Sequence, residues 1–202
     1  MKKTIFVGIL FLLPQFSFAA DPKPVYKWVS ANEYYMIMPT GQSLDISGGG
    51  NESVKPWGFG FRAVGHETIS KTGGLQFQSI KVDNPATGKD TVYLFDLLLG
   101  MQYIAPKVQG KPLRLTASAF ADLGLSDTTL YAAPMISAGL LYTTDEFADT
   151  PTGFTFDVFY RLIDLDLDNV GGGRAGTLKP ALGFKIGYIF EGFWAIKEKS
   201  KG

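Results

Sequence analysis

The stretch LKPALGFKIGYIFEGFWAI, residues 178–196, decides how this chain is read. Every second residue from Leu178 gives Leu178, Pro180, Leu182, Phe184, Ile186, Tyr188, Phe190, Gly192, Trp194 and Ile196, and the set between them begins Lys179, Ala181, Gly183, Lys185 and Gly187. Side chains on a strand alternate between two faces. A strand here has one bulky apolar face, aromatic toward one end, and one face of small and charged residues. It is longer than the roughly ten residues at which strands of soluble sheets usually stop. A transmembrane barrel strand has this form, with lipid against the apolar face and a narrow polar lumen against the other.

The pattern recurs along the chain. Residues 56–66 set Trp57, Phe59 and Phe61 against Gly58, Gly60 and Arg62. Residues 91–104 place Tyr93, Phe95, Leu97, Leu99, Met101 and Tyr103 on one face, with Asp96, Gly100 and Gln102 opposite. Residues 112–125 oppose leucines and alanines to Arg114, Thr116, Ser118 and Asp122. Residues 130–142 and 154–163 repeat the arrangement, the second with Thr155, Asp157 and Arg161 on its polar face. Residues 33–38 and 74–82 are shorter, weaker examples. DNPATGKD at 83–90 is dense in turn formers, and the glycine-rich segments 40–55 and 164–177 read as exposed loops. The fold predicted is all-β, an eight-stranded antiparallel up-and-down transmembrane β-barrel over 33–196, with both termini on the periplasmic side. Ten residues at about 3.3 Å rise, tilted about 40°, span roughly 25 Å, the height of an outer-membrane apolar band.

The N-terminus supports export. Lys2 and Lys3, an apolar run over 4–13 and Ser17-Phe18-Ala19 are the three parts of a signal peptide, predicted as residues 1–19. The run is too short to span a bilayer, which needs about twenty residues. Residues 20–32, with Pro22 and Pro24, read as a periplasmic lead-in, and 197–202 as a polar tail. The whole chain has 19 basic and 19 acidic residues; without Lys2 and Lys3 the basic count is 17, which gives nucleic acid no basic stripe to bind. The absence of cysteine leaves stability to the sheet and its packing.

With its signal peptide, alternating strands and aromatic ends, the chain resembles the small outer-membrane barrels of Gram-negative bacteria, the class of OmpX, OmpW and the OmpA transmembrane domain. The resemblance implies outer-membrane lipids and the outer-membrane assembly machinery as partners, the latter reading a terminal aromatic residue. This chain instead ends in charged residues after Phe193-Trp194. The lipid A-modifying barrels of the same membrane would call for a histidine with a serine and an acid nearby. His66, the sole histidine, has Glu67 and Ser70 close by, at a spacing that matches no motif of those enzymes.

Eight charged residues are predicted to face inward: Arg62, Asp96, Arg114, Asp122, Asp157, Arg161, Lys179 and Lys185. A barrel of eight strands is just wide enough for side chains to fill, and an unpaired buried charge is costly. These groups are therefore expected to form a plug of ion pairs or to line a narrow pore, with Asp157 opposite Lys185 and paired with it. Trp57, Tyr93, Tyr103, Tyr142, Tyr188 and Trp194 are predicted to form the aromatic girdles. Asp164, Asp166 and Asp168 share one side of an extended segment, but Leu167 breaks any calcium-loop pattern, so they read as solvated. No catalytic residue, metal or cofactor is assigned. The function expected is non-enzymatic: envelope structure, surface interaction, or passage of a small solute. The alternatives are a lipid A-modifying enzyme and a soluble periplasmic lipocalin-like barrel, which would turn the apolar faces inward.

Overall fold

The computed structural model describes residues 25–38, 40–65, 68–84, 88–108, 111–127, 129–143 and 152–198; for 25–30, 84, 88–89 and 191–198 the description is of the backbone alone. The signal segment 1–19 and His66 lie outside the described residues. In chain order the strands are β1 (Val25–Met38), β2 (Gln42–Ile46), β3 (Gly50–Val54), β4 (Trp57–Gly65), β5 (Ile69–Asn84), β6 (Gly88–Ile104), β7 (Leu113–Ser126), β8 (Thr129–Thr143), β9 (Gly153–Arg161), β10 (Leu165–Leu167), β11 (Gly176–Leu178) and β12 (Leu182–Glu198). Eight of them close into an antiparallel barrel in the order β1-β12-β9-β8-β7-β6-β5-β4, so the barrel has no free edge. The other four form a small sheet, β10-β11-β2-β3.

The two-residue period decides which way each side chain points. In the run Leu97-Leu98-Leu99 hydropathy is constant, yet Leu97 and Leu99 are 39% and 49% exposed on the outer wall while Leu98 is 0% exposed in the lumen. Phe59, Leu75, Phe95, Leu115, Leu123, Phe154 and Ile186 share the outer wall.

Apolar residues fill the lumen at three places. Ala31, Val64, Ile104, Leu141 and Ile189 pack together toward the end that carries the termini. Tyr35, Ile37, Leu98, Phe120, Met135 and Phe159 form a second cluster. The third joins the small sheet to the barrel: Leu44, Ile46, Val54, Leu165, Leu167 and Leu178 are buried against Ile80, Val82, Val92 and Leu94. The small sheet is therefore a cap over one end. Its other face is polar, with Lys179 bridging Asp45 at 3.3 Å and Asp164 at 2.7 Å. Asp83 N–H donates to Glu52 on one flank and Asp168 N–H to Thr129 on the other. Each buried leucine or isoleucine contributes about 1.5–3 kcal/mol, and ion pairs exposed to water contribute far less, so apolar burial holds the cap down.

Several bounds differ from expectation. β1 begins at Val25, so 25–32 belong to the barrel and not to a lead-in. Register shifts against β12 between Trp28 and Asn32 explain why no period is visible there. Lys197 and Glu198 extend β12 instead of starting the tail. Both glycine-rich segments contain cap strands: β2 and β3 form a hairpin whose Gly48 and Gly50 have φ of 74° and 86°, and β10 pairs with β11. The sequence DLDLD is a two-faced strand with its leucines in the cap core. The 178–196 stretch is two elements, since Leu178 ends β11 and the barrel strand starts at Leu182.

Candidate functional site

The inner wall carries charge where the sequence predicts it. Arg62, Asp96, Asp122, Asp157, Arg161 and Lys185 are all buried, and Glu33 joins them. Arg62, on β4, binds Glu33 of the neighbouring β1 and reaches across the lumen to Asp157 of β9. Thr155 donates its hydroxyl to the same Glu33. Arg161, on β9, donates from Nε to Asp122 Oδ2 at 2.7 Å and from Nη2 to Asp96 Oδ2 at 3.1 Å.

A row of inward residues links the two clusters. Tyr35, Gly60, Gln76, Asp96, Gly124 and Tyr131 stand opposite one another on six neighbouring strands, β1, β4, β5, β6, β7 and β8. Tyr35 reaches over Gly60 and donates to Gln76 Oε1 at 3.3 Å; Gln76 Nε2 donates to Asp96 Oδ2 at 2.7 Å. From the other side Tyr131 passes over Gly124 and donates to Asp96. Gln78 Nε2 adds a bond to Asp96 at 2.9 Å. Three inward glycines are sockets for aromatic rings: a Cβ at Gly60 would meet the Tyr35 ring, one at Gly124 the Tyr131 ring, and one at Gly183 the Phe159 ring.

Asp157 and Lys185 are direct cross-strand neighbours on β9 and β12, as predicted. The Asp157 carboxylate, however, is bound by Arg62, and the Lys185 ammonium lies 4.7 Å and 4.6 Å from the ring centres of Tyr35 and Phe159. Two aromatic faces can stabilise a desolvated cation. Among the described residues four buried carboxylates face three buried cations, and Asp122 Oδ1 has no hydrogen-bond partner from the protein.

Two predicted members stand elsewhere. Lys179 is in the segment joining β11 to β12, on the polar side of the cap, because the strand is interrupted there and its alternation does not carry through. Arg114 is on the inner face but only partly buried, near the start of β7. Glu33, Tyr35, Gln76, Gln78, Tyr131 and Thr155 complete the network. Gln76 and Gln78 were visible as the polar face of their strand; Tyr35 and Tyr131 were hidden because tyrosine suits a girdle as well as a lumen. Trp57, Tyr93, Tyr103, Tyr142 and Tyr188 are exposed on the outer wall, and the Trp194 side chain lies outside the description. Phe61, Tyr34, Tyr188, Phe154 and Tyr142 form an aromatic row across five adjacent strands.

The void beside Gln78, Phe159 and Arg161 measures about 10 Å³, space for about one water. Among the described residues no group of three or more His, Cys, Asp or Glu could hold a metal ion.

No protein-family model matches this chain, and no curated protein matches it in sequence. Its fold is similar to the outer membrane protein OprG from Pseudomonas aeruginosa, with 11% identity, 87% of this chain and 98% of that chain covered, and a TM-score of 0.51. It is also similar to Neisserial surface protein A (NspA), with 9% identity, 78% and 96% coverage and a TM-score of 0.40. The chain has the fold of the small eight-stranded outer-membrane barrels.

Proposed function

We propose that this protein is an integral outer-membrane barrel with a closed polar core, serving envelope structure or surface interaction, and neither an enzyme nor a channel. The observation that carries this reading is the inversion of polarity: Glu33, Arg62, Asp96, Asp122, Asp157 and Arg161 are buried inside and bonded to one another, while leucines, methionines and aromatic rings outside are exposed. Such a wall suits lipid, and it argues against a soluble lipocalin-like barrel, which needs the opposite arrangement. The bonded lumen and its apolar packing favour a structural role over a pore. On this reading both termini face the periplasm and the cap faces the medium. Protein reconstituted in planar bilayers is expected to give no steady conductance. Discrete, reproducible channel openings would overturn the closed-core reading.

A further inference from the structure

On the outer wall, β4, β5 and β6 present an ordered set of rows toward the cap. Phe59, Phe77 and Phe95 stand opposite one another, then Trp57, Ser79 and Tyr93, then Lys81 and Thr91. Phe59 and Phe95 are exposed, and their rings lie 5.3 Å and 5.0 Å from that of Phe77. Trp57 and Tyr93 are exposed in the row above.

Lys55 extends the row of Lys81. Two anchors bracket it, the pairing of Trp57 with Ser79 and the bond from Asp83 N–H to Glu52 at 2.8 Å, so Lys55 stands beside Lys81. Val54, Lys55, Pro56 and Trp57 are alternately buried and exposed, which puts Lys55 on the outward side with Trp57, and Lys81 is exposed as well. Like charges opposite each other on a sheet repel. Among the described residues neither ammonium has an ion-pair partner, whereas Lys179 of the cap bridges two carboxylates. The carboxylates around this edge are engaged elsewhere: Glu52 accepts from Asp83 N–H, Asp90 accepts from Thr91 and Gly172 N–H, and Asp83 stands one row farther out, opposite Lys89. The cap end of β7 and β8 carries Leu125, Asp127 and Leu130 and no lysine, so the cationic edge is one-sided.

We propose that Lys55 and Lys81 hold the phosphate of an anionic lipid in the leaflet at the cap end, with its acyl chains against the aromatic wall below. Tryptophan and tyrosine settle at the level of the lipid headgroups. Two residues of strand rise, about 7 Å, carry the lysines just beyond that level, where they attract anionic headgroups. A soluble polyanion would use the lysines but not the rings beneath them, so a lipid is the occupant that matches both. The proposal rests on the reading that the outer wall meets lipid.

The test uses full-length protein in phosphatidylcholine nanodiscs, with Trp28 and Trp194 replaced by phenylalanine so that Trp57 is the sole tryptophan. Brominated phosphatidic acid and brominated phosphatidylcholine of equal chain length serve as quenchers. The phosphatidic acid should quench Trp57 equally well at about tenfold lower mole fraction, the order expected of two surface lysines. Lys55→Gln with Lys81→Gln should abolish this preference. Lys71→Gln, which removes an exposed lysine near the other end of β5, should leave it intact. With the reporter moved by Trp57→Phe and Leu130→Trp, no preference should remain. Equal quenching by the two lipids at Trp57 overturns the proposal, as does a preference that survives in the double variant, disappears in Lys71→Gln, or recurs at Leu130→Trp. Quenching of Trp57 by neither lipid would instead remove the membrane reading on which the proposal rests.

Discussion

Arg62 holds the lumen together at one level, because it joins Glu33 to Asp157. Its removal leaves two carboxylates buried against each other, so Arg62→Met should lower unfolding stability by about 3–5 kcal/mol. Combining it with Glu33→Gln and Asp157→Asn should recover much of that loss, since neutral amides need no counter-charge. Urea titrations in one detergent read both outcomes, and a triple variant no better than Arg62→Met alone would show that the charges are not mutually compensating. A double-mutant cycle distinguishes the partners of Asp157. Coupling to Arg62 should reach about 1–3 kcal/mol and exceed coupling to Lys185, which rests on two rings. Gly124 tests the socket idea. Gly124→Ala should cost about 1–3 kcal/mol by displacing the Tyr131 ring from Asp96, and should be nearly neutral once Tyr131→Ala has emptied the space. A full penalty in both backgrounds would mean that backbone, not the ring, sets the limit.

At the scale of elements, the cap strands close the barrel with apolar undersides and a polar outer face. Lys179 joins β2 to the segment before β10 through Asp45 and Asp164, and its hydrogen bond to Asp164 is the largest cause of its raised pKa. A lysine whose pKa is raised on folding stabilises the native state below its unfolded pKa, and that contribution disappears as pH rises through the folded value. The urea-midpoint difference between wild type and Lys179→Met should therefore be small and constant at neutral pH and vanish above the ordinary lysine range. A difference that grows with alkalinity would contradict the assignment. β6, β7 and β8 were legible in the sequence because every second residue is apolar over 93–103, 113–125 and 136–142. The first half of β1 was not, since the register shifts near Ser30 disrupt the two-residue period. The cap strands were hidden by glycines, which mark loops and tight hairpins alike, and by their length of three to five residues. In the candidate site, six of the eight predicted charges are buried in the lumen, where one register holds them. Lys179 was misplaced because the backbone breaks before Leu182. Which cation meets which carboxylate depends on reach across the lumen, which periodicity does not encode.

The molecule as a whole is a closed sheet with polar groups inside and apolar groups outside, capped at one end and sharing its fold with OprG. On the proposed function the outer wall is solvated by lipid. Leucine gives the most direct test, because the same side chain occurs on both faces and no substitution is needed. Protein with labelled leucine methyl groups, reconstituted in lipid nanodiscs, can be examined for nuclear Overhauser contacts with lipid acyl chains. Leu75, Leu97, Leu99, Leu115 and Leu123 should show strong contacts, and Leu94, Leu98 and Leu141 none. Lipid contacts at the second group, or equal contacts at both, would show that the outer wall is not the face that meets lipid.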